Sequence, residues 1–179
     1  PDSVSVVQPN LLIRCEPLPK DNPAGLLKGI KVLPYTYVRD LPEIKTTNYL
    51  HMVLMADEIK QQQAADLLFH KDGEISELTR SNVFLFKGDS LITPDRNILH
   101  GITRRTILEL AAPHFDVQVR PVLFDEVLNA DEVFTTSTTK WAMPIVQVGD
   151  HAIGTGEPGP RTLKVQELFV RLVEKWGLD

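Results

Sequence analysis

The sequence predicts a mixed α/β (α+β) domain built on hairpins, on three observations. Short apolar strands come in adjacent pairs, each pair separated by a turn rich in Gly and Asp. Helical periodicities interrupt these pairs without the strict strand–helix alternation of a doubly wound sheet. No G-x-G-x-x-G follows a strand and no G-x-x-x-x-G-K-[ST] is present, so dinucleotide and P-loop chemistry have no support. At 179 residues the chain suits one domain, residues 1–179. That length buries about 70% of the unfolded surface.

Residues 4–15 (VSVVQPNLLIRC) and 30–39 (IKVLPYTYVR) read as strands divided by the proline-rich loop EPLPKDNPAG. Pro42 breaks the second extended run shortly before Lys45. From Asn48 to about Gln63, Leu50, Val53 and Leu54 fall at helical spacing beside the good helix formers Ala56, Glu58 and Lys60. Lys45 is therefore expected at a strand-to-helix junction. Next, DLLFH and EISEL pair around Lys71-Asp72-Gly73, and NVFLF and SLIT around Lys87-Gly88-Asp89. A third pair, PIVQV and HAIG, turns at Gly149-Asp150. Between the second and third pairs a helix begins near Gly101 and runs to Ala112, where Pro113 removes a donor and stops it. A short helix near 125–129 precedes the strand EVFTTS. The final helix, 160–176, carries Val165, Phe169, Leu172, Val173 and Trp176 at helical spacing as a core stripe.

Composition narrows the partners. A net charge of −5 without a basic run argues against nucleic acid or an anionic membrane. No apolar stretch approaches the roughly 20 residues that span a bilayer, and the start PDSVSVVQPN has no signal-peptide pattern. The lone Cys15 excludes an internal disulfide and suits a reducing cytoplasm. His51, His70, His100, His114 and His151 are scattered without ligand spacing, so no metal site is expected.

Chemistry concentrates between Lys45 and Thr139. Glu77 shares a strand face with Ile75, and a carboxylate on a buried face needs a partner; on an edge strand it would point to water. The segment ILHGITRRT opens a helix whose unpaired N–H groups, with the Thr103 hydroxyl, suit a phosphate, although ordinary helices also start this way. The run Thr135-Thr136-Ser137-Thr138-Thr139 is either a Thr-rich β edge or a second arm of that phosphate cup. Lys45 alone would be a solvated lysine. Together, a lysine amine, a carboxylate for a ring nitrogen and a phosphate cup match pyridoxal 5′-phosphate, which is held as a Schiff base to lysine.

These residues resemble the class IV aminotransferases, the fold-type IV pyridoxal phosphate enzymes. That group includes branched-chain aminotransferases, D-amino acid aminotransferases and 4-amino-4-deoxychorismate lyases. The resemblance runs from about Val32 to Phe169 and is carried by IKTTNYL, ISELTRSNVFLFKGDSLITP, ILHGITRRTILELA and DEVFTTSTT with Pro144. It implies the hairpin-rich pseudo-barrel of the family's large domain. It further implies that Lys45 forms the Schiff base, Glu77 pairs with the pyridine nitrogen, and Leu99 packs on the ring. Ile102, Thr103 and Thr138 would hold the phosphate, with Ser137 a weaker candidate beside them. The implied activity is transamination between an amino acid (branched-chain or D-configured) and a 2-keto acid, in a homodimer. A lyase of the aminodeoxychorismate type, or a catalytically silent binding domain, are the alternatives. Two local departures stand out. The turn after the glutamate is Leu78-Thr79-Arg80 where the family is small and Ser-rich, and Lys140-Trp141-Ala142-Met143 follows TSTT. No counterpart of the family's smaller N-terminal domain is recognised, so these residues are expected to be the cofactor domain alone. An apolar patch is expected where that domain would sit.

Overall fold

The computed structural model describes residues 11–15, 28–175 and Gly177. In chain order the elements are β1 (Ile30–Thr36), α1 (Leu50–Leu54), α2 (Ala56–Gln61), β2 (Asp66–Lys71), β3 (Glu74–Leu78), β4 (Asn82–Lys87) and β5 (Ser90–Thr93). Then follow α3 (Ile102–Ala111), β6 (Asp116–Val119), α4 (Phe124–Leu128), β7 (Glu132–Ser137), β8 (Trp141–Val148), β9 (His151–Ala152) and α5 (Pro160–Lys175).

The three expected hairpins form as antiparallel pairs, β2 with β3, β4 with β5, and β8 with β9. In the first, Asp72 and Gly73 both take positive φ (51° and 82°), the geometry of a two-residue primed turn. Helices supply the crossovers between parallel neighbours: α1 and α2 connect β1 to β2, and α3 connects β5 to β6. The strands join one sheet in the order β3-β2-β1-β8-β7-β4-β5-β6, with β9 beside β8. The two ends of that order meet. The Ile75 N–H donates to the Val122 carbonyl at 2.9 Å and the Phe124 N–H to Gly73 at 2.8 Å, so the segment after β6 closes onto β3. The result is the mixed α/β domain that the sequence predicts, curled into the pseudo-barrel that the resemblance implies.

Both faces of β4 are buried, and strand alternation divides its side chains between two cores. Val83 and Leu85 join Val32, Leu68, Leu78, Val133 and Ile145 on one face, where α4 adds Val127. Phe84 and Phe86 point the other way, toward Phe134, Ile107 of α3, and Val165 and Phe169 of α5. The Phe84 and Phe134 rings stack at 5.0 Å. Each such ring contributes about 1.5–3 kcal/mol by leaving water. A third cluster, Leu33, Leu67 and Phe69, lies under Met55 and Ile59.

Several boundaries differ from the sequence reading. Of the expected strand 4–15, residues 11–15 are exposed and form no strand, and the rest lies outside the described residues. The strand 30–39 stops at Thr36. The helix expected over 48–63 is two short ones that meet at Met55 (φ −93°, ψ 4°). Met55 and Ile59 pack onto the sheet while Leu50, Val53 and Leu54 stay exposed, so the bend seats only the second half. β8 begins at Trp141 rather than Pro144. β6 is absent from the sequence reading: DVQV is a short, half-exposed edge strand whose pairing with β5 is tertiary. Trp176 lies outside the described residues, while Val165 and Phe169 are buried as expected. Among the described residues no helix is long and apolar enough to cross a membrane.

Candidate active site

A cleft of about 280 Å³ opens where four pieces of chain converge: the loop 39–49, the β3–β4 turn, the approach to α3, and the β7–β8 turn. Glu77 lies at its base, only 3% exposed. One carboxylate oxygen, Oε1, accepts from Arg39 Nη1 at 2.9 Å. The other, Oε2, accepts from the Leu99 N–H at 3.0 Å and from Asn82 Nδ2 at 3.5 Å. Burial pushes the Glu77 carboxyl above its ordinary value, and the Leu99 N–H and Arg39 oppose that shift. Asn82 also donates to the Leu99 carbonyl at 2.8 Å, which fixes the residue expected against the ring.

Arg39 does more than neutralise Glu77. Its Nη2 donates to the Ile44 carbonyl at 2.6 Å and its Nη1 to Pro42 at 3.2 Å. One guanidinium thus ties the carboxylate to the loop that carries Lys45. The Lys45 side chain lines the cleft and has no ion pair or hydrogen bond among the described residues.

The third piece is the start of α3. Gly101 is its N-cap with no side-chain cap, so the first N–H groups of the helix have no intrahelical acceptor, and Gly101, Ile102 and Thr103 line the cleft. A Cβ at Gly101 would come within 2.5 Å of Asn82 Oδ1, so glycine here leaves the Asn82 side chain in place. Thr103 is buried at the helix start and Ile102 is exposed beside it. The end of β7 and the turn into β8 add Thr136, Ser137 and Thr138 to the lining. Asp66 braces both turns: it accepts from Thr79 Oγ1 at 2.5 Å and from Lys140 Nζ at 3.0 Å.

Two hydroxyls bear on what the cleft holds. Ser81 Oγ and Thr136 Oγ1 are buried without a partner, and both residues line the cleft. Buried hydroxyls are normally hydrogen-bonded, so a polar group in the cleft would find two open partners here. The lining carries Arg39, Lys45 and Arg80 against the single carboxylate of Glu77, net positive within a chain of net charge −5. Leu41, Ile44, Leu50, Val53 and Leu54 stand exposed on the adjoining loop and helix.

Lys45, Glu77, Leu99, Ile102, Thr103, Ser137 and Thr138, the residues selected from sequence, all line this one cleft. Sequence reasoning missed Arg39, Ser81 and Asn82, and held Thr136 only as part of the hydroxyl run. An arginine just past a strand gives no local signal, because its partner Glu77 lies far along the chain.

A model of the amino-transferase class IV family matches residues 3–148. The chain is 37% identical over 127 residues to a D-alanine aminotransferase of Bacillus licheniformis, covering 69% of this chain and 45% of that protein. It is 34% identical over 158 residues to a branched-chain-amino-acid aminotransferase of Pseudomonas aeruginosa, covering 83% and 52%. Among solved structures, a branched-chain aminotransferase from Thermobaculum terrenum in its PLP form superposes with a TM-score of 0.76 at 30% identity, covering 86% of this chain and 53% of that one. The chain thus spans about half the length of these relatives. It belongs to the class IV aminotransferases.

Proposed function

We propose that this class IV aminotransferase chain binds pyridoxal 5′-phosphate in the cleft and moves an amino group between an amino acid, branched-chain or D-configured, and a 2-keto acid. The observation that carries the reading is the convergence of Lys45, the buried carboxylate of Glu77 and the uncapped start of α3 on one cleft. The unpartnered Ser81 and Thr136 hydroxyls fit the same polar occupant. Two supporting relatives are named for D-alanine and branched-chain substrates.

When bound, the cofactor supplies an electron sink for the pair left at the substrate α-carbon. The chain supplies the rest. Lys45 Nζ would hold the cofactor covalently and, once the substrate amine has displaced it and freed its own, would act as the base that takes up and gives back the α-proton. Glu77 keeps a proton on the ring nitrogen, and its own position is set by Arg39 and the Leu99 N–H. The N–H groups of Ile102 and Thr103 and the hydroxyls of Thr103 and Thr138 receive the phosphate, with Ser137 beside them. Leu99 would pack on the ring, and together these groups would orient the reacting carbon. A homodimer in the cytoplasm belongs to the same reading and rests on the family resemblance.

The test adds cofactor to the chain and follows its visible absorption. A band that shifts on addition of amino acid, is lost in Lys45→Ala, and is fixed to Lys45 by borohydride reduction is expected. Labelling of Lys28 or Lys140 instead would overturn the assignment. Pyruvate elimination without amino transfer to a keto acid would replace transamination with the lyase reaction.

A further inference from the structure

The cleft holds a cation with no assigned work. Arg80 sits on the β3–β4 turn, exposed and lining the cleft, with its guanidinium 5.6 Å from the centre of the Tyr49 ring. Among the described residues it has no ion pair and no hydrogen bond. The other lining cations differ. Arg39 is committed to Glu77 and two carbonyls, and Lys45 is reserved for the cofactor under the proposed function. The backbone beneath Arg80 is also anchored on both sides. Thr79 is gripped by Asp66 through its N–H at 3.3 Å and its hydroxyl at 2.5 Å. The Leu78 N–H closes the turn on the Ser81 carbonyl at 2.8 Å.

A guanidinium resting over an aromatic ring keeps its in-plane N–H donors available, in the fork that matches a carboxylate. Amino acids and keto acids carry at least one carboxylate, and the groups assigned to the phosphate and to the ring leave none of the lining cations but Arg80 to receive it. We propose that Arg80 binds a carboxylate of the substrate and thereby makes the cleft prefer amino and keto acids over amines that lack one. The inference rests on the transamination reading, and it makes Arg80 a specificity-determining residue at the position where the turn departs from the small residues of its family.

The experiment uses two unreactive acids, isovalerate and glutarate, titrated into the chain with pyridoxal phosphate present. The Arg80 Nε–Hε resonance, assigned by its loss in Arg80→Lys, is followed by NMR. A saturable shift is expected, with binding weakened about tenfold in Arg80→Gln, partly restored in Arg80→Lys, and falling with added salt only when Arg80 is present. Equal weakening for both acids assigns the substrate's α-carboxylate, and a loss confined to glutarate assigns a side-chain carboxylate. No shift, with equal binding by wild type and Arg80→Gln, would overturn the inference. Failure of the cofactor band to form or to respond to amino acid would count against transamination instead, and the acid titration reads Arg80 in either event.

Discussion

Removing Arg39 tests the electrostatic frame of the cleft. The Glu77 and Arg39 side chains are 4% and 15% exposed, and their contact is 2.9 Å. Arg39→Met keeps most of the apolar stem but leaves a buried carboxylate without its cation. Breaking a buried pair from one side costs about 3–5 kcal/mol. The two carbonyls of Pro42 and Ile44 also lose a donor, about 1 kcal/mol each where they are not rehydrated. Glu77→Gln keeps an acceptor for the Leu99 N–H, and in the double variant no isolated charge remains. The double loss should therefore be smaller than the sum of the singles by about 1–3 kcal/mol. The effect is pH-dependent with a defined sign. Burial raises the folded-state carboxyl above its unfolded value of about 4.3, so the folded state binds more protons and stability falls as pH rises from that value through the folded one. Without Arg39 the carboxyl rises further and the fall steepens, whereas below about pH 4 Glu77 is protonated in both states and the charge penalty of Arg39→Met vanishes. Urea unfolding of the four proteins at pH 7 and pH 4 measures this. Additive losses at pH 7, or a penalty for Arg39→Met that grows at low pH, would refute the charge-pair account.

Gly101→Ala should cost about 1–3 kcal/mol, because the backbone φ of −63° is ordinary and the damage comes from Asn82 Oδ1; thermal unfolding of Gly101→Ala in an Asn82→Ala background should recover much of it. Thr136→Val removes an unpartnered buried hydroxyl, so the cofactor-free chain should gain about 1 kcal/mol, or 2–4 °C in Tm, while cofactor affinity drops; a fall in both would mean the hydroxyl already has a partner. Glu77→Gln should lower the single-turnover rate far more than cofactor affinity, and an unchanged rate would remove Glu77 from the chemistry.

What the sequence made legible follows from the range of each interaction. The hairpins were readable because Asp72-Gly73 and Gly149-Asp150 encode their turns locally between short apolar runs. The start of α3 was readable because Gly101, Ile102 and Thr103 are neighbours. The split at Met55 was not, since it answers to Leu33, Leu67 and Phe69 on other strands. β6 likewise owes its existence to β5. In the site, the lysine, carboxylate and hydroxyl run carry sequence patterns. Arg39 carries none, because its role is defined only when Glu77 folds against it.

The order of strands also bears on how the chain is made. β1, β2 and β3 form one contiguous block and β4, β5 and β6 another, yet in the sheet the two blocks are bridged by β8 and β7, which follow both blocks in the chain. A nascent chain ending before Glu132 therefore presents two three-stranded pieces whose inner edges, β1 and β4, have open backbone donors and acceptors. Insertion of β7 and β8 is then the committing event, and it is what delivers Thr136, Ser137 and Thr138 to the cleft. Stalled chains truncated at Asp131 should remain protease-sensitive and prone to association, and those extended through Val148 should become resistant in one step. Early resistance of the shorter chain would mean that the blocks dock without their bridge.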